Sequence, residues 1–201
     1  LFTLVALGAF TKSAQVPFHR WLPGAMAAPT PASAYLHSAT MVKAGIFLLM
    51  RFHPALGGTD LWFWTLSLVG LATLLAGAWR GLAETDIKAL LAQSTLSQLG
   101  ALTMLAGQDT PAAFKALVIG VTAHALYKSS LFMIAGVVDH ATGTRDFRRL
   151  GGLKHTLIGP AVVSFLAALS LAGFPPMMGF LAKETLFASI SHPSVPHLFD
   201  V

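Results

Sequence analysis

Six basic side chains stand in or beside apolar runs of this chain: Lys12, His37, Lys43, His124, Lys128 and Lys183. Lysine and histidine are the cationic residues that can exchange a proton near neutral pH once their surroundings are tuned. A series of them, bridged by water, forms a chain in which the charge at one site sets the proton affinity of the next. His124 and Lys128 are four residues apart, so they share one helix face about 6 Å apart along the axis, a spacing that suits a relay. A lysine at the centre of a bilayer costs at least about 2.5–3.5 kcal/mol, so a wet or paired interior is expected around these groups. A lone membrane histidine is more often a packing residue, and a lysine or arginine near a span end is an anchor. That is the reading for Arg51, Arg80 and Lys115. Six such groups are not explained in that way.

The elements that must position them are read from composition and pattern. Hydrophobic residues make up 55 % of the 201 positions and charged residues 10 %, against about 25 % charged in a typical soluble domain. This predicts an all-α, polytopic membrane helix bundle. Apolar runs fall at 1–16, 31–50, 61–79, 94–108, 112–138 and 156–190, which gives about five or six spans. Loops are marked by Pro54, Gly57, Gly58 and Asp60, and by Gln108, Asp109, Thr110 and Pro111. The stretch 81–100 begins polar and turns into a Ser/Thr/Gln-rich helix, the mark of a buried, protein-facing span. Two runs carry breakers beside a lysine: Pro17, Pro29 and Pro31 after Lys12, and Pro175, Pro176 and Gly179 before Lys183. Broken helices are tolerated at membrane depth only where the freed backbone is buried in protein or lines a wet cavity. Such a pair points to the ion path of a transporter built from repeats.

Basic residues cluster in alternate connections, Arg80 and Lys88 in one and Arg145, Arg148, Arg149 and Lys154 in another. The positive-inside rule places 80–92 and 140–155 in the cytoplasm. The net charge of +5 is spread between apolar runs without an aromatic-interleaved patch, which argues against a nucleic-acid partner. The absence of cysteine excludes thiolate-bound iron–sulfur clusters and Cys-attached haem from this piece. With no nucleotide loop, metal-ligand cluster or catalytic triad, no enzyme active site, cofactor or metal is expected. The chain opens on Leu1 inside an apolar stretch with neither a basic n-region nor a cleavage site, and reads as a fragment of a longer protein.

The stretches KSAQVPFHRWLPGAMAAPTPASAYLHSATMVKAG, TDIKALLAQSTLSQLG, HALYKSSLF and GFLAKE resemble the signatures of the proton-conducting antiporter family. That family includes the large subunits of Mrp-type Na⁺/H⁺ antiporters and the antiporter-like subunits of respiratory complex I. VDHATGTRDFRRLGGL, residues 138–153, with AGFPPMMGFLAKE, is closer to the large Mrp component known as MrpA. The resemblance implies a fold of two inverted five-helix repeats, each with a discontinuous helix, and buried charges along the membrane midplane. Residues 1–52 would end the first repeat and 53–201 would form most of the second, with its break near 173–184. By motif, Lys12 matches the lysine of the first broken helix, Lys183 that of the second, His37 and Lys43 the helix after the first break, and His124 and Lys128 the connecting charges. The family pairs its first lysine with a glutamate on an earlier helix absent here. Some complex I relatives carry a second histidine four residues before the one matched by His124, where this chain has Gly120.

The expected function is therefore proton conduction through the Lys/His chain, coupled to Na⁺ (monovalent cation) export in a multisubunit antiporter of a bacterial plasma membrane. Other membrane subunits, protons, Na⁺ and the lipid bilayer would be its partners. The alternative is a proton-pumping, non-redox component of a complex I-type NADH–quinone oxidoreductase. A third reading, a non-conducting scaffold whose buried charges glue helices together, is disfavoured by the number of central lysines.

Overall fold

A computed structural model describes residues 1–191; the last ten positions of the expected second repeat lie outside the described residues. The chain enters as α1 (Phe2–Lys12) and leaves the helix at Ser13. A 3₁₀ turn (Phe18–Arg20), α2 (Trp21–Gly24) and a second 3₁₀ turn (Ala25–Ala27) carry it to α3 (Thr30–Ala34). Pro31 sits in the first turn of α3, where a missing N–H breaks no intrahelical bond. The run 31–50, expected as one span, is itself interrupted. After α3 come a π turn (Tyr35–Ala39), Thr40 at φ −136°, and a 3₁₀ turn (Met41–Lys43). Only then does α4 (Ala44–Leu56) begin. His37 and Lys43 thus stand on a helix discontinuity and not inside a regular span, because Val42 and Ser13, distant in sequence, bond there as described below.

The remaining helices begin where local chemistry says they should. Thr59 accepts from the Trp62 N–H to start α5 (Asp60–Gly81), and the Asp86 carboxylate accepts from the Lys88 and Ala89 N–H groups to start α6 (Ile87–Ala106). Thr110 accepts from the Ala113 N–H, with Pro111 in the first turn, to start α7 (Pro111–Thr142). Gly143, at φ 68°, ends α7 in the left-handed conformation that glycine adopts freely. A short α8 (Leu153–Thr156) precedes α9 (Ile158–Ala172), and residues 173–177 separate it from α10 (Met178–Ser191). The last predicted run is therefore two helices with a break, as its prolines and glycines indicate. By length and composition, α5 (22 residues) and α7 (32 residues) are each apolar enough to cross a membrane, with 18-residue stretches of mean hydropathy 1.7 and 1.4.

Helix α6 lies at the middle, packed on α5, α7, α4 and α2, and is buried along most of its length. Two of its buried hydroxyls are satisfied within the helix, Thr95 donating to the Leu91 carbonyl at 2.8 Å and Thr103 to that of Leu99 at 2.9 Å. Glycines let α5 and α6 approach backbone to backbone. A Cβ on Gly100 would fall 2.4 Å from the Leu74 nitrogen, and one on Gly77 would fall 2.6 Å from the Ser97 nitrogen. Small residues at a helix crossing give the close packing on which membrane helices depend. The opposite side of α5 exposes Leu61, Trp64, Leu68, Leu71, Leu75 and Trp79, an apolar stripe.

The two basic connections meet at one end of the bundle. The Ile87 N–H donates to the Arg145 carbonyl at 3.0 Å, the Phe147 N–H to that of Thr85 at 3.2 Å, and Arg145 pairs with Asp86 at 3.1 Å. Both connections therefore face the same side. At the other end, the indole of Trp62 donates to the Ala106 carbonyl at 2.9 Å, and His53 lies 3.5 Å from Asp109.

Candidate functional site

The six residues do not form one cluster. Four of them converge. His37, His124 and Lys128 are fully buried and Lys43 nearly so. His124 is within electrostatic range of Lys128, Lys43 and His37, and His37 within range of Lys128. Helix α7 supplies His124 and Lys128 on one face, as the four-residue spacing requires. The π turn supplies His37, whose ring lies 5.2 Å from that of Phe132, one turn beyond Lys128.

Lys128 reaches across to α6, donating to the Leu91 carbonyl at 3.0 Å and, by a short hydrogen bond, to the Ser94 hydroxyl. Both acceptors are neutral, and no ion pair among the described residues involves this lysine. A carboxylate partner would pin the ammonium charge in place; the Ser94 hydroxyl instead accepts from Lys128 while donating within α6 to the Leu90 and Leu91 carbonyls at 3.0 and 3.1 Å. Neither ring nitrogen of His37 or of His124 has a hydrogen-bond partner among the described residues.

Lys12 and Lys183 stand apart from the cluster, and both are exposed. Lys12 ends α1, at the first break. Lys183 spans the second break, its ammonium donating to the Ala172 carbonyl at 2.8 Å. That carbonyl belongs to the last turn of α9, where unpaired carbonyls and the negative end of the helix dipole favour a cation. A cavity of about 460 Å³ beside Lys183 is lined by Ser97, Gln98, Gly120, Tyr127 and Ser170 among others, and by none of the four clustered residues. Tyr127 stacks edge-on against His124 at 5.6 Å. Gly120, four residues before His124, also borders this open volume.

Polar side chains hold the broken backbone, as irregular chain at membrane depth requires. The Ser13 hydroxyl donates to the Val42 carbonyl at 2.7 Å, and the Val16 N–H donates to the Thr73 hydroxyl at 2.9 Å. At the second break the Gly179 N–H donates to the Ser170 hydroxyl at 3.3 Å.

Three features here escape the sequence reading. Lys88, expected in a basic loop, is buried with its ammonium 3.4 Å from the Ala28 carbonyl and 4.0 Å from Asp139. His53 is held edge-on between Trp62 and Phe114. Ser94 is the hydroxyl partner of Lys128. Asp139, next to His140 at the end of an apolar run, is the available signal for the first. The others have no local signature.

Comparison with known proteins gives consistent results. Residues 1–199 match a family profile described as NADH:quinone oxidoreductase/Mrp antiporter, TM. The probable A/B component of a K⁺/H⁺ antiporter from Rhizobium meliloti (strain 1021) is 57 % identical over 185 residues, 92 % of this chain and 18 % of that protein. The A component of the Na⁺/H⁺ antiporter from Bacillus subtilis (strain 168) is 47 % identical over 209 residues, 98 % of this chain and 26 % of that protein. The structure of the Mrp complex from Dietzia sp. DQ12-45-1b contains a polypeptide that superposes with a TM-score of 0.88 at 53 % identity, covering 92 % of this chain and 21 % of that one. The chain thus spans about a quarter or less of the length of each of these relatives.

Proposed function

Because this chain belongs to the NADH:quinone oxidoreductase/Mrp antiporter transmembrane family, and so to an integral membrane protein, we propose that it is the proton-conducting part of a multisubunit cation/proton antiporter. In this reading protons move through Lys12, His37, Lys43, His124, Lys128 and Lys183, coupled to export of Na⁺ or another monovalent cation across a bacterial plasma membrane. Residues 1–52 end one antiporter-like repeat and 53–201 form most of the next. Residues 80–92 and 140–155 face the cytoplasm, and other membrane subunits cover the exposed surface around Lys12 and Lys183.

The observation that carries the reading is the buried cluster itself: two lysines and two histidines gathered on α7 and the interrupted segment before α4, with Lys128 held by neutral acceptors. The scaffold reading would have Lys128 glue helices by pairing with a carboxylate, where it meets a carbonyl and a hydroxyl instead. The family also covers NADH–quinone oxidoreductase; the antiporter names of the relatives above support the antiporter reading over it.

The test is a double-mutant cycle in the full assembly, measured as ΔpH-coupled Na⁺ or K⁺ transport in vesicles. His124→Ala and Lys128→Ala should each reduce transport at least about tenfold, and the double variant should be hardly worse than the more impaired single, since breaking a serial path twice adds little. Independent, multiplicative losses would assign the two residues separate roles. Wild-type-like transport in Lys128→Ala would sink the reading.

A further inference from the structure

The two interruptions near the start of the chain are joined directly. Ser13 follows Lys12, Val42 precedes Lys43, and the Ser13 hydroxyl donates to the Val42 carbonyl at 2.7 Å across 29 residues of sequence, with Ser13 itself 1 % exposed. One hydrogen bond therefore links the backbone beside one lysine to the backbone beside the other. The carbonyl it satisfies lies in the 3₁₀ turn Met41–Lys43, where the helix ladder is broken.

The surroundings leave this link little room to slip. Gly45 packs so closely on the end of α1 that a Cβ there would lie 2.3 Å from the Ser13 hydroxyl oxygen and 2.4 Å from the Ala9 carbonyl oxygen. The Gln15 side chain, fully buried, donates to the Ser13 carbonyl at 3.0 Å. Ala14, also fully buried, takes φ 51°, in the left-handed region that residues other than glycine rarely adopt. A conformation of that kind persists where its surroundings over-determine it. Beyond it, the Val16 N–H is held by the Thr73 hydroxyl on α5, which in turn donates to the Val69 carbonyl. Residues 13–16 are thus fixed at both ends, by α5 on one side and by the backbone at Lys43 on the other. The Lys12 side chain projects from the helical end of this segment.

We propose that Ser13 is a positioning residue that couples the backbone at Lys12 to the backbone at Lys43, so that a displacement at the exposed lysine is transmitted to the buried one. The inference rests on the proton-conduction reading above. It adds a mechanical connection to what would otherwise be electrostatic communication between separate sites, and it assigns a role to a residue that carries no charge and exchanges no proton.

The experiment uses the full assembly in vesicles and four variants: Ser13→Ala, Ser13→Cys, Lys43→Ala and Ser13→Ala with Lys43→Ala. Cysteine stays close to serine in volume and replaces the hydroxyl by a weak donor, so it separates the hydrogen bond from packing. Ser13→Ala and Ser13→Cys should each assemble normally and lower transport by about tenfold, the scale of one buried acceptor left unpaired. In the Lys43→Ala background, Ser13→Ala should lower the residual rate no further, because its effect passes through Lys43. If Ser13→Ala fails to assemble, Ser13→Cys carries the test, alone and combined with Lys43→Ala. Wild-type transport in Ser13→Cys, or the same tenfold loss with Lys43 already removed, overturns the coupling. Unimpaired transport in Lys43→Ala itself, with Ser13→Ala impaired, would instead remove Lys43 from the proton path and so fail the underlying reading.

Discussion

The crossing of α5 and α6 offers a prediction whose size follows from geometry. An alanine at Gly100 would place its Cβ 2.4 Å from the Leu74 nitrogen, 2.5 Å from the Gly70 carbonyl oxygen and 2.9 Å from the Leu74 Cα. Ordinary contact begins near 3.5 Å, so the two helices must part by roughly 1 Å. All three obstructing atoms are backbone, so no rotamer change can relieve the overlap. Overpacking of this kind typically costs about 1–3 kcal/mol, and the rigid backbone contact puts Gly100→Ala at the upper end. Against it stands a gain of roughly 1 kcal/mol from replacing glycine within a helix. The net expectation is a loss of about 2 kcal/mol. Gly159→Ala, where nothing lies within 4 Å of the added Cβ, should lose nothing. Thermal unfolding of the purified assembly in detergent measures both. Gly77→Ala, blocked by the Ser97 nitrogen at 2.6 Å and the Gln93 carbonyl oxygen at 2.8 Å, tests the mechanism further. Once the helices have parted for one alanine, the second fits more easily, so the double variant should cost less than the sum of the singles. Equal stability of Gly100→Ala and Gly159→Ala would refute the close-packing argument, and strict additivity would refute the idea that a single helix separation relieves both sites.

Two predictions concern the loop at the basic end of the bundle. Arg148 and Arg149, whose side chains are 66 % and 78 % exposed, should label as cysteines only from the inner side of sealed cells; labelling by an impermeant reagent from outside would reverse the proposed topology. The Arg148 side chain, hydrogen-bonded to Asp146, holds that carboxyl down to about 2. Because the folded value lies below the ordinary carboxylate range near 3.9, the stabilisation it gives is complete above about pH 4 and disappears as pH falls toward 2. Hydrogen-exchange protection of residues 144–150, corrected for intrinsic rates, should follow that window, and loss of protection already at pH 5 would assign it to another group.

How much of this is legible in the sequence depends on the range of the interaction. The common face of His124 and Lys128 follows from helical periodicity, and the helix starts at Thr59, Asp86 and Thr110 follow from side chains capping amides two or three residues away. The breaks after Lys12 and before Lys183 are announced by proline and glycine, whose effects are local. The buried character of α6 is visible in its serines, threonines and glutamines. The interruption through His37 and Lys43 is not visible, since nothing between Tyr35 and Lys43 is a strong breaker. What stabilises the irregular turn there is a hydroxyl donated from Ser13, 29 residues earlier.

The chain by itself therefore determined the class of structure, the supply of ionisable side chains and the positions of two helix breaks, because each rests on composition or on contacts within a turn or two. Only the tertiary structure decided which of those side chains meet. It gathered His37, Lys43, His124 and Lys128 and left Lys12 and Lys183 outside the cluster. It buried Lys88 near Asp139, gave Lys128 a carbonyl and a hydroxyl on α6, and tied the break at Ser13 to the one at Val42. Each of these depends on how closely α5, α6 and α7 approach and in what register. That is set by the glycines at their crossing and by the packing of many side chains together, and no short stretch of residues encodes it alone.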